Sequence, residues 1–409
     1  MGETVPTWGA WGPDVRDDPA PLFESMRASC PVHQVRLADG HEAWLVLGHD
    51  AVRQALKDPR LSKDMLAAFD QDPEVADEGL PGPDFARHML AVDPPDHTRL
   101  RRLVSRAFTP SRVGALEPAI ERIAHDLLDA LDPDATVDLV AGYAQPLPFQ
   151  VISTLLGVPE ADAPALNGWF RTLFQPWHGA PPPEAVAASD AIVAHLAELV
   201  AAHRRAPADD LIGVLVAASD EDDRLTEQEL LSTLFQLIVA GHDTTASLIG
   251  NGIVALLDHP DQLDRLVADP TLLPIAVEEL IRFDAPVPHA TFRVSTAAVD
   301  IGGVEIPAGR QVLVCLGAAN RDPDVVDDPD RLDVARPPGT HLGFGHGIHF
   351  CLGAPLARLE GRIGFGALLG RFPHLRLAVP RADLQWSHGD GLVLRGLDSL
   401  PVRLQPAAD

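Results

Sequence analysis

One continuous helical pattern of about thirty residues constrains the fold of this chain more than any other feature. The pattern begins at Thr226-Glu-Gln-Glu229 and runs to about Asp258, ahead of Pro260. Its first four residues form a capping box, in which the two side chains satisfy backbone N–H groups at the helix start. At about 1.5 Å per residue the helix is roughly 45 Å long, enough to cross a whole domain. We therefore expect it to be the central helix of the fold.

Polar residues interrupt this apolar helix near its middle. The run Ala240-Gly-His-Asp-Thr-Thr245 lies between Leu-Ile-Val and Leu-Ile-Gly. A buried aspartate or threonine is costly unless it is hydrogen-bonded, and such side chains bend helices when they bond to nearby carbonyls. The run therefore indicates a functional groove. A purely structural kink is the alternative.

A cysteine near the C-terminal end, Cys351, comes directly before a second helical pattern that extends from Ala354 to about Phe372. The N–H groups and the dipole at a helix start favour the thiolate, which binds metals or attacks as a nucleophile. Gly345 and Gly347 can adopt left-handed conformations and let a flat group approach the backbone. A small buried cysteine beside a glycine-rich turn is the structural alternative.

Residues 344–353 resemble the cysteine-ligand loop of the cytochrome P-450 superfamily, the haem-thiolate monooxygenases. The positions that carry the resemblance are Phe344, Gly345, Gly347, His349, Cys351 and Gly353. The resemblance implies that Cys351 is the proximal ligand of the iron in haem b (iron protoporphyrin IX). It also implies that Phe344 and Gly345 lie against the cofactor and that His349 contacts a propionate. A hydrogen bond that orders the loop is the alternative role of His349.

The polar run of the long helix resembles the oxygen-binding stretch of the same family's I helix. On this interpretation Asp243 and Thr244 are the acid–alcohol pair that relays protons to bound oxygen. Ala240 and Gly241 would leave room for dioxygen and substrate.

A predicted helix between Pro94-Pro95 and Pro110 carries His97 and Arg101. The two residues are four apart, so they share a face. Composition alone favours a solvated basic stripe, but the segment resembles the family's C helix, whose His and Arg hold the haem propionates. Arginine suits such carboxylates because its fork can bind both oxygens.

Three further arginines take their expected roles from the resemblance. Arg293, in a predicted strand, would bind a propionate. Arg102 and Arg106 fall on other helix faces and could form a docking patch for an acidic ferredoxin, with simple solubility equally plausible.

Glu279 and Arg282 are three apart at the end of a predicted helix, a spacing that usually gives a weak surface pair. The pair resembles the family's Glu-x-x-Arg motif, about seventy residues before the cysteine. We therefore expect Glu279, Arg282 and Arg336 to form a core network with a structural role. Leu332 stands where the family usually has phenylalanine.

The substrate pocket is expected from the resemblance and from loop length. Residues 60–92 and 176–184 are predicted lid loops, and a disordered insertion is the alternative for residues 60–92. Residues expected near substrate or over the haem are Val287, His289, Ala290, Val393 and Leu394.

Composition excludes several functions. A formal net charge of −27 disfavours nucleic acid and anionic membrane surfaces as partners. The apolar runs are too short for a membrane span, and the N-terminus lacks a secretory signal. Three cysteines without pair spacing fit a reducing cytosol rather than a disulfide framework.

We therefore predict a mainly α fold with a small β-region: a single cytochrome P-450 domain over residues 1–409, with its long central I helix over a haem. The resemblance implies a cytoplasmic, monomeric monooxygenase that uses dioxygen and two electrons from ferredoxin and ferredoxin reductase. It would hydroxylate or epoxidise a largely apolar organic molecule, such as a macrolide, another polyketide or a terpenoid of secondary metabolism. A non-catalytic helper protein of this fold and a peroxide-driven peroxygenase are the alternatives.

Overall fold

The computed structural model describes residues 18–37, 40–64, 85, 87–106, 108–175, 181–219, 225–387 and 393–404. The chain divides into two compact units. The first comprises Met1–Ser62, Ala124–Pro146 and Thr244–Asp409, and the second comprises Lys63–Ile123 and Leu147–Asp243. Most of the lid loop predicted at 60–92, and residues 176–180 of the lid loop at 176–184, lie outside the described residues.

The first unit is built on a five-stranded mixed sheet. Its strand order is Val32–Arg36, Glu42–Val46, Gln311–Val314, Arg293–Ser295 and Leu61–Ser62. The first two strands pair antiparallel, with Val32 opposite Val46, and the second and third strands run parallel. This is the small β-region that the sequence predicts.

Side chains alternate across this sheet, and each face packs on a separate apolar cluster. Val46 and Val314 belong to the cluster beneath the helix His49–Lys57, while Leu45 and Leu313 belong to the cluster that includes Phe23. Alternation follows from the two-residue period of a strand. Because both faces are buried, the sheet holds the residues that follow its strands in fixed positions.

Helices and three smaller sheets complete the first unit. In the smaller sheets, Pro401–Arg403 pairs with both Thr136–Asp138 and Arg376–Leu377, Val299–Ile301 pairs with Val304–Ile306, and Trp386–Ser387 pairs with Gly396–Leu397. The helices within this unit are Ala20–Ser29, His49–Lys57, Pro260–Ala268, Leu273–Phe283, Leu316–Asn320 and Ala354–Arg371, with a π-helical turn at Val140–Ala144 and 3-10 turns at Pro270–Leu272, Gly347–His349 and Arg381–Asp383.

In its described part the second unit is helical, and every described strand lies in the first unit. Its helices are Asp96–Ser105, Pro110–Ala115, Pro146–Leu156, Ala163–Leu173, Pro183–Arg205 and Leu211–Ser219, and Glu117–Asp129 begins in it. Aromatic rings form part of its core: Phe235 stacks on Phe85 at 3.8 Å between centroids and lies 5.5 Å from Phe170. Phe174, stacked on Phe170 at 6.4 Å between centroids, is exposed.

The helix Pro183–Arg205 is long and apolar enough to cross a membrane by length and composition alone. It also carries Glu184, Asp190 and Glu198. Core helices of water-soluble proteins have the same length and apolar content, so the segment by itself is weak support for a membrane span.

The long helix spans Glu227–Asp258, as the sequence predicts. The capping box is confirmed: the Thr226 N–H donates to Oε2 of Glu229 at 2.9 Å, and the Glu229 N–H donates to Oγ1 of Thr226 at 3.2 Å. The helix belongs to the second unit through Asp243 and to the first from Thr244 onward.

The carboxylate of Glu229 has a second partner besides the helix start. Arg99, on the helix Asp96–Ser105, donates to both of its oxygens at 2.5 and 3.2 Å. Burial opposes ionisation of Glu229, but the hydrogen bonds from Arg99 and Thr226 outweigh it and lower the pKa of Glu229. One ionised, buried carboxylate therefore fixes the start of the long helix and the adjacent helix together.

Candidate active site

The thiol loop, residues 344–353, folds back on itself in front of the helix Ala354–Arg371. Gly345 and Gly347 have φ angles of 71° and 74°, so both adopt the left-handed conformation expected of them. The Cys351 N–H donates to the Phe344 carbonyl at 2.9 Å and closes the loop. Cys351 is exposed, and Ile348 and Phe350 beside it are 51% and 41% exposed. The loop therefore presents a thiol in an apolar surround.

Three side chains hold the ring of Phe344 and the loop that precedes it. The guanidinium carbon of Arg358 lies 4.5 Å from the Phe344 ring centroid, within cation–π range. Arg358 also donates two hydrogen bonds to Glu278, at 2.6 and 2.9 Å. Nε2 of His341 lies 3.0 Å from the same carboxylate, and the His341 ring is 5.9 Å from that of Phe344.

Glu278 is ionised in this setting. Burial opposes its charge, but hydrogen bonds from His341 and Arg358 lower the pKa of Glu278 to about 2. A negative carboxylate therefore lies behind the thiol loop, directly paired with a guanidinium.

The neighbouring residue, Glu279, holds a different pair of arginines. Arg282 donates to both of its oxygens at 2.7 and 2.9 Å, and Arg336 donates to one of them at 3.0 Å. Glu279 is 3% exposed and Arg282 is 4% exposed. The expected core network is therefore confirmed, and the surface-pair alternative is wrong. Leu332 is buried in this region.

The other predicted contacts of the first unit have varied environments. Arg293 is buried on its strand and donates to the Leu61 carbonyl at 3.2 Å. Val287 and Ala290 are partly buried and pack against the cluster beneath the sheet. His289 is fully buried, with its ring edge-on to Phe23 at 6.1 Å. Partly buried positions are His349, Val393 and Leu394.

The second unit carries the other predicted cofactor residues on the helix Asp96–Ser105. His97 is buried and Arg101 is partly buried, four residues along the same face. Burial and the charge of Arg101 lower the pKa of His97, against the opposing charge of Asp93. Arg102 and Arg106 are exposed, as a docking patch or a solubility role requires.

The polar run of the long helix stays helical throughout. Ala240 is exposed and Gly241 is closely packed, since a Cβ there would lie 3.1 Å from Ile152. Nδ1 of the buried His242 lies 3.0 Å from Oδ1 of Asp243. Asp243 and Thr244 are partly buried neighbours, so both remain accessible to a small molecule.

The residues of the thiol loop fit a flat cofactor bound through sulphur. The exposed thiol offers one soft ligand, the left-handed glycines project no Cβ, and the flanking side chains are apolar. Within the described ranges no group of three or more His, Cys, Asp or Glu could hold a metal ion by itself.

Sequence reasoning did not single out Glu278, His341 or Arg358. Glu278 and Arg358 are eighty positions apart, and neither has a distinctive spacing from a predicted partner. The one available signal was Arg358, which lies two turns after Cys351 on the helix Ala354–Arg371.

Comparison with known proteins gives consistent matches along the chain. A family model described as cytochrome P450 matches residues 149–379. Cytochrome P450 107B1 of Saccharopolyspora erythraea is 47% identical over 91% of this chain and 92% of its own length. The 6-deoxyerythronolide B hydroxylase of the same organism is 44% identical over 93% of this chain and 95% of its own length.

A solved structure extends the likeness to three dimensions. The Bacillus subtilis cytochrome P450 PksS, of the bacillaene polyketide synthase, superposes with a TM-score of 0.88 at 39% identity. The match covers 97% of this chain and 100% of that one. Fold and sequence therefore agree over nearly the whole length.

Proposed function

Because the chain belongs to the cytochrome P450 family and is a monooxygenase with a haem cofactor, we propose that it inserts one oxygen atom into a bulky apolar metabolite at a haem b held by Cys351. The overall balance is RH + O2 + 2e⁻ + 2H⁺ → ROH + H2O. The observation that carries the proposal is the exposed thiol on a loop with two left-handed glycines.

Haem bound through a cysteine thiolate activates dioxygen, since electron release from the sulphur favours O–O cleavage. Cys351 supplies that thiolate. Its N–H donates to the Phe344 carbonyl, which fixes the backbone of the exposed Cys351. Phe344 and Gly345 cover the loop side of the cofactor.

Four basic side chains bind the haem propionates in this proposal. They are Arg293, His349, His97 and Arg101. Burial and the charge of Arg101 lower the pKa of His97, and the His97 ring is assigned a hydrogen bond to a propionate. Arg101 and Arg293 supply the positive charges.

Asp243 and Thr244 carry protons to dioxygen in the site. The Asp243 carboxyl group takes protons from water and passes them to the Thr244 hydroxyl. His242, with Nδ1 3.0 Å from Oδ1 of Asp243, limits the orientations of that carboxyl group. Ala240 is exposed and is assigned to the space for dioxygen and substrate, whereas Gly241 packs against Ile152.

The substrate is an organic molecule, and we assign it to a polyketide, macrolide or similar secondary metabolite. Two observations support this class: the apolar character of Val287, Ala290, Val393 and Leu394, and the full-length likeness to a 6-deoxyerythronolide B hydroxylase and to a P450 of a polyketide synthase. His289, also assigned to this site, is fully buried.

Electrons come from a redox partner, as in the family generally. We assign that role to a ferredoxin and its reductase, with the exposed Arg102 and Arg106 as cationic contacts. The negative net charge and the sparse cysteines fit a cytoplasmic monomer.

The test is the absorption spectrum of the purified protein, reduced under carbon monoxide. We expect a strongly red-shifted Soret band that Cys351→Ala abolishes and the matched control Cys30→Ala retains. Absence of haem would favour the helper-protein alternative. Full turnover with hydrogen peroxide, and none with reduced ferredoxin, would favour the peroxygenase alternative.

A further inference from the structure

The contacts behind the thiol loop form a rigid chain from one carboxylate to the cysteine. We call Glu278, His341 and Arg358 the Phe344 clamp. Arg358 is fixed on one side by two hydrogen bonds to Glu278, which leaves its flat face on the Phe344 ring at 4.5 Å. The Phe344 carbonyl in turn accepts the N–H of Cys351. Phe344 is therefore the one residue that connects the clamp to Cys351.

Each ring nitrogen of His341 has a hydrogen-bond partner, and the partners identify the tautomer. The Gly343 N–H donates to Nδ1 of His341 at 3.2 Å, so Nδ1 is an acceptor and the proton is on Nε2. Nε2 then donates to Glu278 at 3.0 Å. Gly343 packs against Ile281 so closely that a side chain there would overlap it. The carboxylate of the clamp thus has little freedom to move.

The clamp also couples electrically to the thiol. Hydrogen bonds to Glu278 are the main cause of the raised pKa of Arg358; the charge of Glu278, followed by that of Cys351, adds to the rise, and burial opposes it. The Arg358 side chain is 41% exposed, while that of Glu278 is 17% exposed. A positive group paired with a negative one therefore lies within electrostatic range of the sulphur.

We infer that the Phe344 clamp positions Phe344 beside the Cys351 sulphur and that the balance of its two charges sets the reduction potential of the bound iron. The inference rests on the proposed role of Cys351. Reduction adds one electron to the ferric site, so a nearby positive charge favours the ferrous state and a nearby negative charge opposes it. Arg358 raises the potential and Glu278 lowers it, although the two are hydrogen-bonded to each other. If the clamp had only a structural role, removing Arg358 and removing Glu278 would not shift the reduction potential in opposite directions.

The experiment is a spectroscopic redox titration of the purified holoenzyme with dithionite and mediator dyes, without ferredoxin. At a fixed ambient potential we expect Arg358→Met to lower the ferrous-to-ferric ratio by about threefold, which is about 28 mV for a one-electron couple. Glu278→Gln raises the ratio. Arg371→Met is the matched control: Arg371 lies on the same helix, pairs with Asp129 and stacks on Phe372 at 5.5 Å, so its loss leaves the ratio unchanged.

The outcomes separate this inference from the proposed function. The role of the clamp would be overturned if the reduction potential did not change in Arg358→Met and Glu278→Gln, or if it shifted in the same direction in both. A thiolate-type carbon monoxide band in the same proteins would still support Cys351 as the iron ligand. If Arg358→Met does not fold, an upward shift in Glu278→Gln supports the clamp and its absence refutes it. A wild-type protein without the thiolate-type band would overturn both.

Discussion

Glu278 and Glu279 are neighbours on one helix, yet each holds a different arginine. Glu279 pairs with Arg282 in the buried network that also includes Arg336, and Glu278 pairs with Arg358 behind the thiol loop. Consecutive helix positions point about 100° apart, so a single turn supports two separate charge clusters. One cluster stabilises the fold, and the other lies next to the proposed chemistry.

We expect Glu279→Gln to lower the free energy of unfolding by about 3–5 kcal/mol, because it leaves two largely buried guanidinium groups without a compensating charge. Chemical denaturation of purified protein measures the change. The pair of the exposed Arg265 and the half-buried Asp333, 3.1 Å apart, is the control. Arg265→Gln should change the free energy by less than about 1 kcal/mol. Equal effects of the two substitutions would contradict a special role for burial.

Thr244→Ala is expected to uncouple electron use from product formation. Without the hydroxyl, protons no longer reach dioxygen in the right order, so hydrogen peroxide leaves the site. Product formed per electron pair should fall by about tenfold, a modest share of what a positioned proton donor contributes. Parallel assays of cofactor consumption, product and peroxide measure this, with the buried neighbour Thr245→Ala as control. Equal coupling in Thr244→Ala and wild type would remove Thr244 from the proposed relay.

Gly347→Ala should weaken haem retention and cost about 1–2 kcal/mol of stability, because an L-residue is strained at φ 74°. The new Cβ would also lie 3.0 Å from the Leu56 carbonyl. Haem content per protein and thermal unfolding are the measurements. Gly339→Ala, with nothing within 4 Å of its Cβ, should match the wild type in both. Normal haem content in Gly347→Ala would show that the loop tolerates a different backbone.

The stability of the second unit should depend on pH through His203. Nε2 of His203 lies 2.9 Å from Asp210, and Nδ1 lies 2.8 Å from the Leu199 carbonyl. Burial opposes the charged ring, but these hydrogen bonds outweigh it and raise the pKa of His203. The stabilisation is therefore fully present below the unfolded value of about 6.5 and is lost as pH rises through the folded value.

The His203→Gln variant tests this sign. Wild type should exceed the variant in unfolding free energy near pH 5.5, and the difference should shrink at pH 8.5. Asp209→Asn, which removes the carboxylate that pairs with Arg112, is the control. A difference that grows with pH would mean that His203 is neutral in the folded protein.

Local chemistry made several elements predictable. The capping box fixed the start of the long helix, and the glycines of the thiol loop adopt the conformations that their lack of Cβ permits. Other boundaries depend on neighbours. The strand Gln311–Val314 ends before Cys315, because the Cys315 side chain caps the short helix Leu316–Asn320 by accepting the Ala318 N–H.

The site residues that belong to a short motif with fixed spacing could be predicted from the sequence. Those that come together only through contacts between distant segments could not. Residues 344–353 are contiguous, so their pattern identifies the loop. An i, i+3 acid–base pair such as Glu279 and Arg282 is ordinarily exposed, and only the tertiary fold makes it buried. The link between Glu278 and Arg358 joins two helices across eighty positions, and no local rule pairs them.

The double use of Glu229 has a further consequence. Its carboxylate caps the long helix and grips Arg99, which lies between His97 and Arg101 on the next helix. A substitution at Glu229 is therefore expected to move the proposed propionate-binding residues His97 and Arg101 and so to alter haem affinity, although Glu229 is not itself a proposed cofactor residue. Position 229 must therefore both cap the long helix and bind Arg99. A homologue without an acidic residue at this position is expected to differ at position 99 as well.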